Sequence, residues 1–467
     1  MIPMTLEQVA AVTGGMAHGV DDPASIIISA DVVTDSREAQ PGSLYVARIG
    51  ESLDGHDFVT GARDRGAVAA LTTRSVDDLP CVVVEDDQAA FAALARHLID
   101  SRPDLLVVGI TGSSGKTSTK DLLGSVLALK GPTIAPVGSL NSEVGVPLTV
   151  CRITPETEHL VVEMGARGIG HIRYLTEMAP PQIGVELNVG TAHVGEFGSR
   201  GAIATAKAEL VEALPDNGIA VLNADDPAVR AMAARTRARV VLVGEALDAD
   251  VRADSVTIDD HGRASFDLVT PVGSTGVTLA LVGRHHVANA LAVVAVALEA
   301  GLTLDQIHQG LEQARPISRW RMEVTERADS VTVVNDAYNA NPDSMRAALT
   351  SLRDMGAGRR TWAVLGSMLE LGPDSDVEHA GVGAFAAEHG VNELVVVGEV
   401  ATPMAEGARM TQRHGIHIRQ VADADAAETI LRAELRPGDV VLFKSSRDAG
   451  LRWLGDRVSA DGVEGVD

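Results

Sequence analysis

The chain has 467 residues, of which 45% are hydrophobic and 22% are charged, a composition typical of folded globular domains and not of disordered chains. Its 39 Lys and Arg residues against 64 Asp and Glu residues give a net charge of −25, which argues against nucleic acid or an anionic membrane as a general partner. The two cysteines, Cys81 and Cys151, have no CxxC spacing, so a disulfide framework and a cysteine zinc site are excluded.

The sequence contains no targeting or membrane-spanning pattern. The first residues, MIPMTLEQVAAV, lack the cationic start and long apolar core of a signal peptide. The most apolar stretch, Ala290–Leu298, stops at Glu299 and is too short to cross a bilayer. We therefore expect a cytoplasmic protein without membrane insertion. We also expect a monomer, although neither the charge nor any motif determines the oligomeric state.

Short apolar runs alternate with helix-like segments along the whole chain. This alternation indicates an α/β fold with mainly parallel, doubly covered sheets. The predicted strands are Leu105–Ile110, His159–Glu163, Ile183–Val189, Val331–Asn335, Trp362–Leu365, Glu393–Val397 and Val440–Phe443. The polar last dozen residues, from Gly455, are expected to fray.

The length predicts three domains at roughly 150 residues each. Polar, proline-containing segments at 100–104 and 313–318 mark the boundaries between them. The predicted domains are 1–100, an N-terminal α/β substrate domain; 101–314, a central P-loop ATPase-like parallel-sheet domain; and 315–467, a C-terminal Rossmann-like α/β domain.

A phosphate-binding loop follows the strand Leu105–Ile110. In GITGSSGKTST (109–119) glycines let the backbone N–H groups surround an anion at the start of a helix. Lys116 would reach the β- and γ-phosphates of ATP, and the Thr117 hydroxyl would bind Mg²⁺. Ile110 stands where the general GxxxxGK pattern has its first glycine, and a glycine-rich turn without a nucleotide is the alternative. The candidate ATP-binding residues here are Thr111, Gly112, Ser113, Ser114, Gly115, Lys116, Thr117 and Ser118.

This shifted glycine spacing resembles the ATP loop of the Mur ligases, the cytoplasmic amino-acid ligases of peptidoglycan precursor synthesis. Two strand-end residues of the central domain agree with the resemblance. Glu163 and His193 lie where open α/β sheets bind ligands, and the resemblance implies that they help to hold a second Mg²⁺. Each could instead be an ordinary polar residue at a strand end. Asn141, in LNSEVGVP, resembles a family position near the γ-phosphate.

Lys207 lies on the same helical face as Leu210, Val211 and Leu214. An unpaired ammonium on a buried face is costly, so we expect this lysine to be paired, modified, or extended towards solvent. In several Mur ligases the corresponding lysine is carbamylated. Our hypothesis is that Lys207 carries a carbamate that helps to position metal.

Two further positions match family residues that contact ATP, and each has an unusual neighbour. Asn289, in GRHHVANAL, matches an asparagine that contacts adenine, although His286 replaces the usual asparagine three positions earlier. Without the resemblance this stretch is simply the start of a packed helix. Arg321 matches an arginine that reaches ATP, although Trp320 replaces the usual glycine.

The C-terminal domain carries the most specific motif, DAYNANPDSM (336–345). It resembles the family member that adds the dipeptide D-alanyl-D-alanine, although it is also good turn chemistry. Asp336 at a strand end suits ribose hydroxyls. The segment GSMLELG (366–372) resembles the same member, with Ser367 replacing aspartate, and KSSR (444–447) resembles a family motif but could be a surface turn. The candidate substrate-binding residues here are Tyr338, Asn339, Asn341, Lys444, Ser446 and Arg447.

The N-terminal domain has two family-like elements, TDSR (34–37) and LDGHDF (53–58). The resemblance implies that this domain holds the uridine diphosphate end of the muramyl substrate. Ser36, Arg37, Asp54 and His56 are the candidate substrate-binding residues. Composition alone indicates only an α/β domain of unknown use.

The resemblance implies ATP-dependent ligation of D-alanyl-D-alanine to UDP-N-acetylmuramoyl-tripeptide through an acyl phosphate, with two Mg²⁺ ions. The third residue of the tripeptide, lysine or meso-diaminopimelate, is not determined. The alternatives are another Mur-type ligase such as the tripeptide-forming member, an enzyme like folylpolyglutamate synthase, and an ATP-dependent switch that ligates nothing.

Overall fold

The computed structural model describes residues 1–50, 52–191, 194–411 and 415–460. His193, which the sequence predicts as a metal ligand, lies outside the described residues. Among the helices of the described ranges, none combines the length and the apolar character that a membrane span requires.

The N-terminal domain is built on a small, mainly parallel sheet. In its described residues the strand order is β2-β7-β6-β5-β4, with β2 antiparallel to β7, and β1 pairs with β3 beside it. Its elements are β1 (Met4–Thr5), α1 (Leu6–Thr13), β2 (Met16–His18), β3 (Ile27–Ile28), β4 (Val32–Val33), β5 (Leu44–Val46), α2 (Val59–Asp64), β6 (Ala69–Thr72), β7 (Cys81–Val83) and α3 (Asp87–Asp100).

The central domain contains the largest sheet that the described residues form. Its elements are β8 (Leu106–Thr111), α4 (Lys116–Leu127), β9 (Thr133–Ile134), α5 (Gly145–Val150), β10 (His159–Glu163), α6 (His171–Met178), β11 (Ile183–Glu186), α7 (Val194–Phe197), α8 (Arg200–Glu212), β12 (Ile219–Asn223), α9 (Pro227–Arg230), β13 (Arg239–Gly244), β14 (Val251–Ile258), β15 (Arg263–Thr270), β16 (Gly273–Val282), α10 (His286–Glu299) and α11 (Leu304–Gln313). The strand order is β16-β15-β14-β13-β12-β11-β8-β10-β9.

In this order β8 lies between β10 and β11, so the direction of the connections reverses on either side of it. Open α/β sheets bind their ligands at the carboxyl ends of the strands at such a switch point. The sheet therefore places the loop after β8 at the centre of its ligand-binding edge.

The central sheet is mainly parallel, as predicted, and departs from this pattern at one edge. Strands β14, β15 and β16 form an antiparallel meander at one edge. Along β14, Val251 and Ala253 are buried while Arg252 and Asp254 are half-buried, an alternation typical of a sheet with one covered face. Helices α10 and α11 cover that face. Because buried and half-buried residues alternate along these strands, they contain no continuous apolar run and were not predicted.

The predicted strand Ile183–Val189 is too long, because β11 ends at Glu186. The residues that follow leave the sheet to hold the phosphate loop. The Ser114 N–H donates to Asn188 Oδ1 at 2.9 Å, and Asn188 Nδ2 donates to the Ser114 carbonyl at 3.0 Å.

The C-terminal domain has a sheet of order β17-β18-β22-β19-β20-β21, parallel except for the β17–β18 pair. Its elements are β17 (Glu323–Glu326), β18 (Thr332–Asn335), α12 (Pro342–Met355), β19 (Thr361–Leu365), α13 (Ser375–Glu388), β20 (Glu393–Val397), α14 (Thr402–Met410), β21 (His417–Val421), α15 (Ala424–Glu434), β22 (Val440–Lys444) and α16 (Leu451–Ala460). The bounds of the three domains stay a prediction.

The prediction that the chain frays from Gly455 is wrong for residues 455–460, which belong to α16. Gly455 and Val458 are buried, and a Cβ atom at Gly455 would collide with the Asn335 side chain of β18. The small residue is therefore a packing contact within a helix. Residues 461–467 lie outside the described residues.

The hydrophobic cores do not correspond one to one with the three domains. One continuous core joins the N-terminal domain to the central domain, because Phe91 and Leu98 of α3 share it with Val146 of α5 and Leu175 of α6. A second core lies between the central sheet and α4, α10 and α11. Two further cores cover the two faces of the C-terminal sheet.

Candidate active site

The phosphate loop joins the end of β8 to the first turn of α4. Gly115 caps this helix with φ of +85°, a left-handed conformation that favours glycine. A Cβ atom there would lie 2.8 Å from Asn289 Oδ1, so the loop also lacks room for a side chain. The helix N-terminus and its free N–H groups thus face a site suited to an anion.

Lys116 and Thr117 begin α4 and point towards Glu163 at the end of β10. Lys116 Nζ donates to the Gly112 carbonyl at 2.7 Å, and Thr117 Oγ1 donates to Glu163 Oε2 at 2.8 Å. Burial lowers the pKa of Lys116 and the neighbouring Arg321 lowers it further, while Glu163 opposes both effects. The loop therefore carries a buried cation beside a buried carboxylate.

Glu163 is surrounded by donors. Ser139 Oγ and Asn141 Nδ2 donate to its Oε1 at 2.8 and 2.7 Å. Burial opposes ionisation, but the charges of Lys116 and Arg321 and these hydrogen bonds outweigh it and lower the pKa of Glu163. A carboxylate held ionised at a strand end, next to a threonine hydroxyl, is a donor set that Mg²⁺ prefers.

Lys207 lies on α8 below the phosphate loop, and its side chain is 6% exposed. Burial lowers the pKa of Lys207 to about 7, with a further contribution from the positive charge of Lys116, while Glu186 opposes both. Within the described ranges its ammonium makes neither a hydrogen bond nor an ion pair. Burial raises the pKa of Glu186, which Lys207 and Lys116 counteract.

The C-terminal domain forms the opposite wall of the site. Asp336 accepts from the Met322 N–H at 3.0 Å and pairs with Lys444 Nζ at 2.6 Å. Lys444 also donates to the Asn339 carbonyl at 3.1 Å, and Ser446 Oγ accepts from the Leu369 N–H at 3.0 Å. These contacts fix the loop after β18 against the loop after β22.

Two aromatic side chains of this wall, Tyr338 and Trp320, contact charged residues beside them. The guanidinium of Arg321 lies 4.3 Å from the ring centre of Tyr338, and that of Arg447 lies 5.9 Å from it. Trp320 has φ of +59°, which accounts for the glycine that the family pattern has at this position. Its indole Nε1 donates to Asp456 at 3.0 Å and its ring packs edge-on against Trp453, so local contacts stabilise the strained backbone.

The two domains touch directly at the phosphate loop. Asn341 Nδ2 donates to Ser114 Oγ at 3.1 Å, while the N–H and hydroxyl of Thr191 donate to Asp343 Oδ2 at 3.0 and 3.2 Å. The C-terminal loop that follows β18 therefore lies over the phosphate loop, with a cavity of about 1330 Å³ between the domains.

Most of the predicted site residues line this one cavity. The exceptions are Thr111, which is buried beneath it, His193, which is outside the described residues, and the N-terminal candidates. The predicted residues that line it are Gly112, Ser113, Ser114, Gly115, Lys116, Thr117, Ser118, Asn141, Glu163, Lys207, Asn289, Arg321, Asp336, Tyr338, Asn339, Asn341, Lys444, Ser446 and Arg447.

The four N-terminal candidates lie elsewhere and differ in their freedom to bind a ligand. Asp54 caps a short helical turn, accepts from His56 Nδ1 at 2.6 Å and pairs with Arg74 at 2.9 Å. The His56 N–H, which donates to Asp54 at 2.9 Å, and then these two side-chain hydrogen bonds hold the pKa of Asp54 below its usual range. His56 Nε2 accepts from the Thr73 N–H at 3.1 Å, so Asp54 and His56 mainly stabilise their own loop.

Ser36 and Arg37 are more open to solvent. The Arg37 side chain is 80% exposed and contacts only Asp35 among the described residues, at 2.6 Å. Such a cation can turn to a phosphate at little cost, because water and salt screen an exposed ion pair.

The sequence prediction did not include several polar residues of the cavity, among them Ser139, Glu186 and Asp343. Glu186 ends a buried strand in the same way as Glu163, and the strand-end argument could have found it. It was hidden because the apolar run continues through Leu187 and Val189. Asp343 lies within the motif 336–345 but was not singled out there, and Ser139 carries no local signal, since only the fold brings it to the site.

Comparison with known proteins identifies the class to which this fold and site belong. Residues 30–99 match the Mur ligase family catalytic domain, 110–297 the Mur ligase middle domain and 320–447 the Mur ligase glutamate ligase domain. The chain therefore belongs to the Mur ligase family, and the predicted three-domain α/β fold is confirmed.

The similarity to individual members covers almost the whole chain. The UDP-N-acetylmuramoyl-tripeptide–D-alanyl-D-alanine ligase of Mycobacterium tuberculosis is 46% identical over 503 residues, covering 99% of this chain and 98% of that protein. The enzyme of the same name from Escherichia coli is 36% identical over 456 residues, with 97% of each chain covered.

Two solved structures agree with these relatives. MurF from Acinetobacter baumannii superposes with a TM-score of 0.88 at 33% identity, covering 98% of this chain and 99% of that one. MurF ligase from Thermotoga maritima in complex with ADP gives a TM-score of 0.80 at 29% identity, covering 94% and 99%.

Proposed function

We propose that this chain is an ATP-dependent ligase that joins D-alanyl-D-alanine to UDP-N-acetylmuramoyl-tripeptide, in the cytoplasm and as a monomer, to give the pentapeptide precursor of peptidoglycan. The observation that carries the proposal is one cavity with the phosphate loop on one wall and the loop 336–345 on the other. Relatives that carry this activity in their names align with 97% to 99% of the chain.

The reaction divides into two steps at this cavity. The terminal carboxylate of the tripeptide attacks the γ-phosphate of ATP, which gives an acyl phosphate and releases ADP. The free amine of D-alanyl-D-alanine then attacks the acyl carbon, and phosphate leaves. Lys116 and Arg321 line this cavity, and we propose that they stabilise the negative charge that builds up on the transferring oxygens, as preorganised cations do in a transition state.

The residues around the phosphate loop fit divalent metal. Thr117 Oγ1 and the Glu163 carboxylate supply hard oxygen donors, and we propose that they hold Mg²⁺, with His193 and a carbamate on Lys207 completing the metal-binding set. When bound, Mg²⁺ supplies charge neutralisation on the phosphate oxygens. The buried amine of Lys207, with its pKa lowered to about 7 by burial, supports the carbamate.

The remaining candidates divide between nucleotide and substrate. We propose that Asn289 contacts adenine and that Asp336 contacts the ribose, because both line the cavity beside the phosphate loop. Tyr338, Asn341 and Arg447 lie on the opposite wall, and we propose that they contact the tripeptide carboxylate and the dipeptide. In the N-terminal domain, exposed Arg37 is better placed than the internally bonded Asp54 to meet a diphosphate.

The test is phosphate release from ATP with Mg²⁺, UDP-N-acetylmuramoyl-tripeptide and D-alanyl-D-alanine, with each component omitted in turn. We expect release to require all of them and the pentapeptide product to appear by mass spectrometry. Faster turnover with a single amino acid than with the dipeptide would indicate that the chain is another Mur-type ligase. Release that does not depend on any amine would indicate a nucleotide switch.

A further inference from the structure

Glu186 is the last residue of β11 and faces α8. Its register partner on β8 is Thr111, and side chains paired in a parallel sheet lie on the same face. The same face of β11 includes Gly184, where a Cβ atom would meet Leu210 and Leu214 of α8. Because Lys207 is on the same side of α8 as these leucines and also lines the cavity, it faces Glu186 across the gap.

The polar atoms of this gap are buried without partners. Glu186 is 1% exposed, and neither of its carboxylate oxygens has a hydrogen bond with any described residue. The hydroxyl of Thr111, fully buried, is also unpartnered within the described part of the chain. Burial makes ionisation of this carboxylate costly and raises the pKa of Glu186 well above its usual value, while the cations that face it, Lys207 first and Lys116 next, oppose the rise.

Carbamylation removes the first of these cations. The lone pair of the neutral Lys207 amine attacks the carbon of CO₂, an N–C bond forms, one C=O electron pair moves onto oxygen, and the amine proton leaves to solvent. A group with charge +1 or 0 thereby becomes a group with charge −1. Glu186 then faces a second anion in a buried gap.

We propose that Glu186 makes the carbamylation of Lys207 dependent on a divalent cation, which the Glu186 carboxylate and the carbamate share. The inference rests on the carbamate of the proposed function and adds a residue that the sequence motifs do not include. Two oxygen anions on opposite sides of one gap, with the Thr111 hydroxyl beside them, are hard donors of the kind that Mg²⁺ prefers.

The test measures carbamate directly in the full chain without nucleotide. The protein is equilibrated with ¹³C-bicarbonate, with and without Mg²⁺, and the carbamate carbon is followed by NMR; loss of the signal in Lys207→Met assigns it. We expect Mg²⁺ to favour the carbamate by about 5- to 150-fold, the usual range of coupling between two sites. In Glu186→Gln we expect more carbamate without Mg²⁺ and a clearly smaller gain on adding it, because the anion that opposes the carbamate is gone while the other metal ligands remain.

A matched control is available on α8. Glu209 is also buried, at 2% exposure, but its oxygens accept from the Gly170 and Arg173 N–H groups and it does not line the cavity. Glu209→Gln removes a buried charge of the same kind, and we expect it to keep the Mg²⁺ dependence of the wild type. Because coupling is reciprocal, calorimetry should also show bicarbonate tightening Mg²⁺ binding more in the wild type than in Glu186→Gln.

Each other outcome overturns the proposal in a distinguishable way. A wild-type carbamate that forms equally without Mg²⁺ leaves the carbamate in place and removes the coupling, as would happen if Glu186 took up a proton instead. Mg²⁺ dependence as large in Glu186→Gln as in the wild type removes the role of Glu186. Absence of the signal in every sample removes the carbamate itself, while the phosphate-release assay still decides the ligase activity. The wild-type comparison stands even if Glu186→Gln does not fold.

Discussion

Lys116 combines a buried position with direct access to the cavity. Its ammonium donates to the Gly112 carbonyl and lies near the Glu163 carboxylate, so the loop has a cation in place before a nucleotide arrives. A charge placed in advance stabilises a transition state without reorganisation. The neighbouring Glu163 carboxylate accepts hydrogen bonds from three other side chains. Its position therefore does not depend on Lys116.

We expect Lys116→Ala to lower kcat by about 10²- to 10³-fold or more while the fold stays intact. The measurement is steady-state phosphate release together with circular dichroism. Lys130→Ala, which removes an exposed lysine just beyond the same helix, is the control and should keep normal turnover. Near-normal activity in a folded Lys116→Ala protein would contradict the assignment of the phosphate loop.

Tyr45 links charge and stability in the N-terminal domain. Burial, together with the negative charges of Asp35 and Asp54, raises the pKa of Tyr45 from 10.0 to about 12. Its hydroxyl donates to the Gly55 carbonyl at 2.8 Å, behind the loop that carries His56. A raised pKa means that the folded protein holds this proton after the unfolded chain has lost it.

We expect Tyr45→Phe to lower the free energy of unfolding by about 0.5–1.5 kcal/mol below pH 10, the usual effect of one lost hydrogen bond. The stabilising contribution of Tyr45 should be lost as the pH rises from 10.0 to about 12, so the difference between the two proteins should shrink in that window. Urea denaturation of both proteins at a series of pH values measures it. A difference that stays constant through the window would show that Tyr45 titrates normally.

At the scale of elements, the start of α4 is shaped by the close approach of α10. Gly115 leaves no space for a side chain because Asn289 of α10 lies against it. His286, one turn earlier in α10, lies 3.4 Å from Asn289 through its Nδ1 atom. The contact between the two helices thus positions the amide proposed to meet adenine.

We expect Gly115→Ala to weaken ADP binding by about tenfold or more, because the new Cβ atom displaces Asn289. Both this change and its control, Gly138→Ala, place alanine at positive φ, of +85° and +83°. Gly138 has no atom within 4 Å of a new Cβ, so only the backbone strain is shared. Equal ADP affinities of the two variants by calorimetry would show that the contact with Asn289 is unimportant.

The N-terminus of α12 joins the C-terminal domain to the phosphate loop. Asn341 caps this helix and contacts Ser114, while Asp343 in its first turn accepts from Thr191. Both contacts cross from one domain to the other over the cavity. A few polar contacts therefore hold the two domains together over the cavity, and these contacts can break when the C-terminal domain moves away.

We expect Asp343→Ala to lower kcat/KM for ATP by roughly 2- to 10-fold, since it removes hydrogen bonds worth about 0.5–1.5 kcal/mol from the closed form. Small-angle scattering with ADP should show a less compact protein than the wild type. Asp305→Ala is the control, because Asp305 is also an exposed acidic residue in a first helical turn, that of α11, but far from the contact. Equal kinetics of the two variants would contradict a role of Asp343 in closure.

At the scale of the whole molecule, the three domains are joined unequally. The N-terminal and central domains share one apolar core through α3. The C-terminal domain meets the phosphate loop through the polar contacts of Asn341 and Asp343. A shared apolar core is lost only when the structure unfolds, whereas polar contacts can be exchanged for contacts with water. We therefore expect the N-terminal and central domains to move as one rigid unit and the C-terminal domain to move relative to them.

We expect Leu98→Ala to destabilise the N-terminal and central domains together by about 2–5 kcal/mol, since Leu98 is 1% exposed in their common core. Scanning calorimetry should show one transition shifted down in temperature and a second, from the C-terminal domain, unchanged. Leu394→Ala, in a core of the C-terminal sheet, should shift only the second transition. Separate shifts of the N-terminal and central domains would disprove the common core.

Local chemistry at strand ends could be read from the sequence because it depends on neighbours in the chain. The loop 109–119, Glu163, and the segment 336–345 all follow apolar runs, and residue type and spacing suffice to recognise them. The antiparallel strands β14 to β16 were missed, since alternating burial is weaker as a signal than a continuous apolar run. The second half of α16 was not predicted, because Gly455 looks like a helix-ending residue in the sequence. Only its close contact with Asn335 shows why a glycine is needed inside this helix.

The sequence by itself determined the class of fold, the phosphate loop and the order of the motifs, because each of these is encoded by residues close together in the chain. Only the tertiary structure decided which of the polar residues meet. It brought Glu186 to Lys207, placed Asp343 against Thr191, and turned Asp54 and His56 towards each other and their own loop. The physical reason is that burial, charge and hydrogen bonding depend on distances in space between elements that are far apart in the sequence.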